Sequence, residues 1–194
     1  LPLFAREFLE FLDPPAAQTA VAAAGFVDQA PETVPLTADG LRLLNAIKGA
    51  GKDVPLEDLK RLAEVMTGAS RSSLTFRFED GSSTLDARSQ ENLTLLAQLL
   101  AVDAFKGQEV ILAGFSDGSG DPTANLQLSE SRAIGVATGL AAALPDLPEG
   151  QTMPRVMAFG EALPMACDTT AAGRRANRRV EVWLRPAPKD SDVP

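Results

Sequence analysis

The chain has no histidine and a single cysteine, Cys167, in 194 residues. Without histidine it can build neither a Ser-His-Asp nor a Cys-His relay, and most zinc sites are closed to it. One cysteine forms no disulfide within the chain, so cysteine usage does not indicate a redox compartment. Positive charge is also short, with 18 Lys and Arg against 26 Asp and Glu and a formal net charge of −8. A phosphate-backbone partner needs a basic face, which argues against nucleic acid as a ligand. No apolar run approaches the roughly 20 residues that cross a bilayer. The longest candidate, Ala133 to Leu144, contains Gly135, Thr138 and Gly139 and suits a packed core helix. The chain starts at Leu1 with no Met and no charged-then-apolar leader, the expectation for a mature form or an excised piece.

What is present is ordinary globular composition, 45% hydrophobic and 23% charged, in a chain long enough to bury a real core. Phe4, Phe8, Phe11 and Leu12 make an apolar helical stripe that Pro14-Pro15 ends, and a second short helix runs from Ala16 to Ala24. The Pro-punctuated stretch Ala30 to Pro35 reads as a linker. Leu41, Leu44 and Ile47, and then Leu56, Leu59, Leu62, Ala63 and Met66, predict two small helices around Gly49-Ala50-Gly51, either a subdomain or a spacer. From Leu74 the period changes to that of a half-buried strand through Phe76 and Phe78. A helix over Asp86 to Val102 follows, then a strand over Glu109 to Phe115 and a long helix over Pro122 to Leu144. A strand over Arg155 to Phe159, a short helix over Thr170 to Ala176 and a strand over Arg178 to Leu184 complete the pattern. Strands alternating with helices of this length imply an α/β sheet covered by helices.

Two segments carry chemistry. Gly114-Phe115-Ser116-Asp117 delivers a carboxylate from the end of a strand into a Gly-rich loop, and Leu128 to Ala133 places Arg132 on the following helix. An anion and a planar cation on one strand-to-helix unit suit a zwitterionic ligand, since Arg is the preferred partner of a carboxylate. Each also has a plain explanation: Asp117 as a turn residue capping the next helix, Arg132 as a solvent-facing side chain. The run Arg174-Arg175-Ala176-Asn177-Arg178-Arg179 adds cations before the last strand, or is simply a solvated turn. Strand alternation aims Arg178 and Arg179 at opposite faces, so at most one serves a given site. Asp117 to Asp121 lacks the later ligands of a calcium loop, and no Gly-Lys-Ser/Thr makes it a phosphate loop. Asp117 and Asp121 could be the paired carboxylates of a hydrolase, but a Gly-rich loop offers them no defined separation.

Phe78, Leu85, Gly114, Ser116-Asp117, Gly120, Asn125, Leu128-Ser129, Arg132-Ala133, Gly160-Glu161, Pro164, Gly173-Arg174 and Asn177 to Glu181 stand in an order and spacing that resemble the OmpA-like domain. The resemblance implies an α/β sandwich, a mixed four-stranded sheet covered by helices, with a short helical region before it. It implies noncovalent binding of peptidoglycan through the diaminopimelate residue of the stem peptide, with no catalysis, cofactor or metal. On this resemblance Asp117 holds the ligand's ammonium and Arg132 its carboxylate. Asn125, Arg178 and Ser119 contribute further polar contacts. Phe115-Ser116 replace the family's usual His or Tyr followed by Thr, and Ala172 a frequent Glu. The loss of a polar ring at Phe115 implies an altered ligand preference, or an interaction domain that has left the cell wall.

Leu3 to Leu12, Pro14 to Gln18 and Ala24 to Val27 resemble the last helices of phosphate-type periplasmic solute-binding proteins. The expected layout is a helical remnant of such a domain over 1–30, a linker with two short helices over 31–72, the OmpA-like domain over 73–186 and a disordered tail over 187–194. The expected place is the periplasm of a Gram-negative bacterium, at the cell wall or outer membrane. The stripe of Phe4, Phe8 and Phe11 is expected to dock on the rest of the chain or on a second copy, a possible homodimer.

Overall fold

The computed structural model describes residues 17, 18, 23, 33, 34, 36–49, 54, 56–79, 82–102, 104–144, 146–149 and 151–187. The stripe at Phe4 to Leu12 and the tail after residue 187 lie outside the described residues. The chain divides into two compact units, Leu1–Glu32 and Thr33–Pro194. In the first, Ala17, Gln18 and Ala23 are helical. The second holds strand β1 (Thr33–Val34), helices α1 (Leu36–Gly49) and α2 (Leu56–Met66), and strand β2 (Ser70–Arg77). It continues with α3 (Ala87–Ala101), β3 (Gln108–Phe115), α4 (Pro122–Ala143), β4 (Arg155–Ala158), α5 (Ala171–Asn177) and β5 (Arg179–Pro186).

Local chemistry starts the helices where the sequence predicts. The carboxylate of Asp86 accepts the Ser89 N–H at the head of α3, and that of Asp121 accepts the Ala124 N–H at α4, where Pro122 fills the first turn. The Thr170 hydroxyl accepts the Gly173 N–H at α5. The strands form one sheet in the order β1-β2-β5-β3-β4, with β3 and β4 parallel and the other pairs antiparallel. The expected mixed four-stranded sheet is therefore present, with the two-residue β1 added at its edge.

Alternation gives the sheet two buried faces. Leu74, Phe76, Val110, Leu112, Val180 and Val182 face α3 and α4, where Leu96, Leu100, Val136 and Leu140 cover them. Ile111, Ala113, Phe115 and Trp183 face the other way, against Leu59, Leu62, Val65 and Met66 of α2. Each fully buried side chain of this kind is worth about 1.5–3 kcal/mol, so α2 is a structural layer of the domain. The segment expected as a linker is thus built into the sheet's second face, and β1 pairs with β2.

α1 lies the other way round from its apolar stripe. Leu41, Leu44 and Ile47 are 61%, 45% and 50% exposed, whereas Asp39 is buried. The reason is the sheet beneath it, where Arg71, Arg179 and Glu181 are also buried. Glu181 Oε1 accepts from Arg179 Nε at 2.7 Å and from Arg42 Nη2 at 2.9 Å, and Oε2 accepts from Trp183 Nε1 at 3.1 Å. Asp39 Oδ1 takes Arg42 Nη1 at 2.7 Å and Arg71 Nε at 2.9 Å. A helix laid on buried charge must turn ionic groups inward, because buried charges require partners. Burial alone would raise the pKa of Glu181; Arg179, Arg42 and Arg71 together hold it below the usual carboxylate range.

Removing one member of a buried ion network leaves the others uncompensated, at about 3–5 kcal/mol. Glu181→Gln should lower unfolding stability by that amount, read by urea denaturation with the single tryptophan, Trp183, as the fluorophore. A loss below about 1 kcal/mol, the scale of a surface pair, would show that the network does not hold the second face.

Candidate ligand-binding site

β3 ends at Phe115, and the next two residues carry the chain across the end of the sheet. The Ser116 N–H donates to Gly160 O at 2.7 Å, and the Gly160 N–H donates to Ser129 Oγ at 3.1 Å, which ties the strand end to α4. This close approach explains Gly114: a Cβ there would stand 2.2 Å from Ser129 O. Asp117 follows, buried. Its Oδ1 accepts the Ser119 N–H at 3.1 Å and its Oδ2 accepts from Arg178 Nη1 at 3.0 Å. Burial pushes the Asp117 pKa up, but the hydrogen bonds from Arg178 and Ser119 outweigh it and leave the carboxyl below its ordinary value.

Arg132 projects from α4 and is only 2% exposed. Its guanidinium lies 5.1 Å from the centre of the Phe78 ring, and Nη2 donates a long bond to Ser82 O at 3.4 Å. Nε and Nη1 are buried with no hydrogen-bond partner among the described residues. Burial and the positive charge of Arg178 both press its pKa down, and Asp117 opposes them. Arg132, Arg178, Arg174, Arg175, Ser82 and Ser83 border an open cavity of about 450 Å³, a size typical of small-ligand sites, which run from about 300 to 1,000 Å³.

The remaining expected residues play supporting parts. Asn125 donates through Nδ2 to Ser119 O at 3.2 Å and to Glu161 Oε2 at 3.1 Å, so it braces the loop over Asp117. Ser119 is exposed, and its backbone holds that loop through the Asp117 and Asn125 bonds. Asp117, Asn125 and Ser119 therefore form one hydrogen-bonded unit joined to Arg178. Arg132 meets Arg178 at the cavity and has no direct bond to Asp117 among those described.

Two residues without an assigned role in the sequence reading hold this arrangement. Asn177 is fully buried and its side chain accepts the Met165 and Ala166 N–H groups and donates to Ala166 O and Asp168 Oδ1. Asp168 Oδ2 accepts the Gly118 N–H at 2.9 Å, and Asp168 O accepts from Arg174 Nη1 at 2.7 Å. The same packing demands Gly173, where a Cβ would lie 1.9 Å from Cys167 O. The position of Asn177 directly before the two arginines was the available signal; nothing in the loop sequence marks Asp168.

Phe115 is not among the described residues that line the cavity. Its ring stacks on Phe159 with centroids 5.7 Å apart, the Arg179 guanidinium lies 4.3 Å from its centre, and it is fully buried on the second face. The expected effect of its missing polar ring on ligand preference therefore has no direct route through the cavity. Arg178 and Arg179 separate as alternation requires, one to Asp117 and one to Glu181.

This constellation is spanned by a family match. Residues 77–178 match the OmpA family. The chain belongs to the OmpA family. Among curated relatives, the probable lipoprotein YiaD of Escherichia coli (strain K12) is 33% identical over 109 residues, covering 56% of this chain and 47% of that protein. The outer-membrane lipoprotein YfiB of Pseudomonas aeruginosa is 38% identical over 106 residues, 54% of this chain and 59% of that protein. The chain thus spans about half the length of the curated relatives it matches. The solved periplasmic domain of Helicobacter pylori MotB aligns with a TM-score of 0.50 at 17% identity, over 64% of this chain and 78% of that one. That likeness shows the fold.

Because the Asp117 carboxyl is held below its ordinary value of 3.8, its contribution to folding is fully present above that pH and disappears as pH falls through the depressed folded value. The stability gap between the wild type and Asp117→Asn should therefore be widest near neutrality and close in acid below that point. A gap that stays constant from neutral pH down into that acid range would show that Asp117 is not bound as a carboxylate by Arg178.

Proposed function

We propose that the cavity binds peptidoglycan noncovalently through the diaminopimelate residue of a stem peptide and anchors a periplasmic protein to the cell wall or outer membrane. The observation that carries the reading is Arg132: a buried guanidinium on the wall of an open cavity, with two nitrogens that have no hydrogen-bond partner among the described residues. Leaving such donors unsatisfied is costly, and a ligand carboxylate relieves the cost with charge-assisted bonds. Asp117 supplies the opposite charge for the ligand's ammonium, fixed in place by Arg178 and Ser119. A rigid pair of opposite charges in a partly desolvated cavity recognises a zwitterion and rejects singly charged analogues. Relatives described as lipoproteins, one of them of the outer membrane, fit an anchoring role at that boundary.

The resemblance of the first 30 or so residues to phosphate-type solute-binding proteins supports the further reading that the anchored cargo is such a domain. The alternative of an interaction domain detached from the cell wall drew on Phe115, which packs on the far face of the sheet and lends it no support. A hydrolytic use of Asp117 and Asp121 is equally unsupported, because Asp121 caps α4 and Asp117 is bound to Arg178.

Truncating one partner of a desolvated charged contact costs about 2–5 kcal/mol, roughly a 30- to several-thousand-fold loss of affinity. Asp117→Ala and Arg132→Ala should each abolish co-sedimentation with purified sacculi while keeping the circular dichroism of the fold. Undiminished pelleting of both folded variants would defeat the site assignment.

A further inference from the structure

The charge on Arg132 stands where a charge is costly. The side chain is 2% exposed, burial penalises the guanidinium, and the positive charge of Arg178 adds to the penalty. Asp117 offsets part of this through space. Among the described residues its one hydrogen bond is the long one from Nη2 to Ser82 O at 3.4 Å. What meets the cation directly is a ring. The guanidinium carbon lies over Phe78 at 5.1 Å from the ring centre, inside the roughly 6 Å at which the negative face of an aromatic ring attracts a cation.

That ring is itself fixed. Phe78 is 3% exposed and belongs to the same buried core as Leu74, Phe76, Leu96 and Ala133. Just past the end of β2, its backbone bridges to Leu85. The choice of partner has a chemical consequence. A carboxylate beside Arg132 would offset the charge by accepting from its N–H groups, and would compete with an incoming anion for them. A ring face offsets the charge while Nε and Nη1 stay without a hydrogen-bond partner among the described residues.

Resting on the reading of the site given above, we propose that Phe78 is a positioning residue for the ligand's carboxylate: its ring face holds the Arg132 guanidinium in place and leaves N–H donors for the incoming anion. The ring acts through Arg132. It removes part of the ordering that a long, rotamer-rich side chain otherwise undergoes on binding, so the carboxylate meets a donor already set in the cavity wall. The anion end of the site is thereby tied to the hydrophobic core beneath it.

Fluorine drains the negative face of a benzene ring with little change of shape, which separates this role from filling the core. The test is calorimetric titration with meso-diaminopimelate of the whole chain carrying mono-, di- or trifluorinated phenylalanine in place of Phe78. Affinity should fall in steps with fluorine number, reaching about five-fold for the trifluorinated ring, the scale of a cation–π contact. The control is trifluorinated phenylalanine in place of Phe76, on the same buried face of β2 with no cation over its ring among the described residues. It should leave affinity unchanged. Phe78→Leu, apolar but without a ring, should bind at least as weakly as the trifluorinated protein. Constant affinity across the Phe78 series, or an equal loss from the Phe76 control, overturns the positioning role. If diaminopimelate fails to bind the wild type, the reading of the main site falls and this role with it; binding that ignores fluorination at Phe78 removes the role alone.

Discussion

The buried Arg179–Glu181 pair is the contact on which the rest of the domain depends. Arg179 gives Nε to Glu181 Oε1, Nη1 to Asn177 O and Nη2 to Leu163 O, and lies over the Phe115 ring. One side chain therefore fixes the first residue of β5, the end of α5, the loop after β4 and the last residue of β3. Its neighbour Arg178 must then project to the opposite side, where Asp117 stands. The cavity's central cation is placed by a network on the other face of the sheet. Such a network gives modest net stability for its desolvation, but it tolerates few alternative registers, because a shift of β5 by one residue would bury Arg178 unpaired.

Much of this was legible in the sequence, for identifiable reasons. β2 is readable at Leu74 and Phe76, with Phe78 just past its end, because one face meets a core and alternation records it. The starts of α3 and α4 are readable because Asp86 and Asp121 are caps whose chemistry is local. Arg132 and Asp117 stand out because they sit at defined places on a strand-to-helix unit. The helix α1 is legible from Leu41, Leu44 and Ile47, but its buried face is not, since a periodic rule favours those residues as core without knowing that the surface below is ionic. The part of Asp168 was hidden for a different reason: its bonds to Gly118 and Asn177 span 50 and 9 residues and exist only once two loops meet.

Electrostatics then sets the manner in which the site works. A net charge of −8 gives the molecule a long-range field that does not gather anions. Attraction must come from within the cavity, where burial has raised the cost of leaving Arg132 Nε and Nη1 without an acceptor among the described residues. On the proposed reading, recognition is short-ranged and geometric: a ligand carboxylate gains when it meets a donor of Arg132 that is otherwise unpartnered, and a loosely apposed anion gains little. The chain also has no histidine, so no side chain with an ordinary pKa near neutrality lines the cavity. The depressed Asp117 carboxyl keeps its charge through that range, and ligand engagement on the proposed reading is not gated by protons. That is the behaviour an anchor needs, because a tether released by small changes of pH would fail at its task. Permanence here comes from the choice of side chains, guanidinium and a depressed carboxyl, as much as from the fold that positions them.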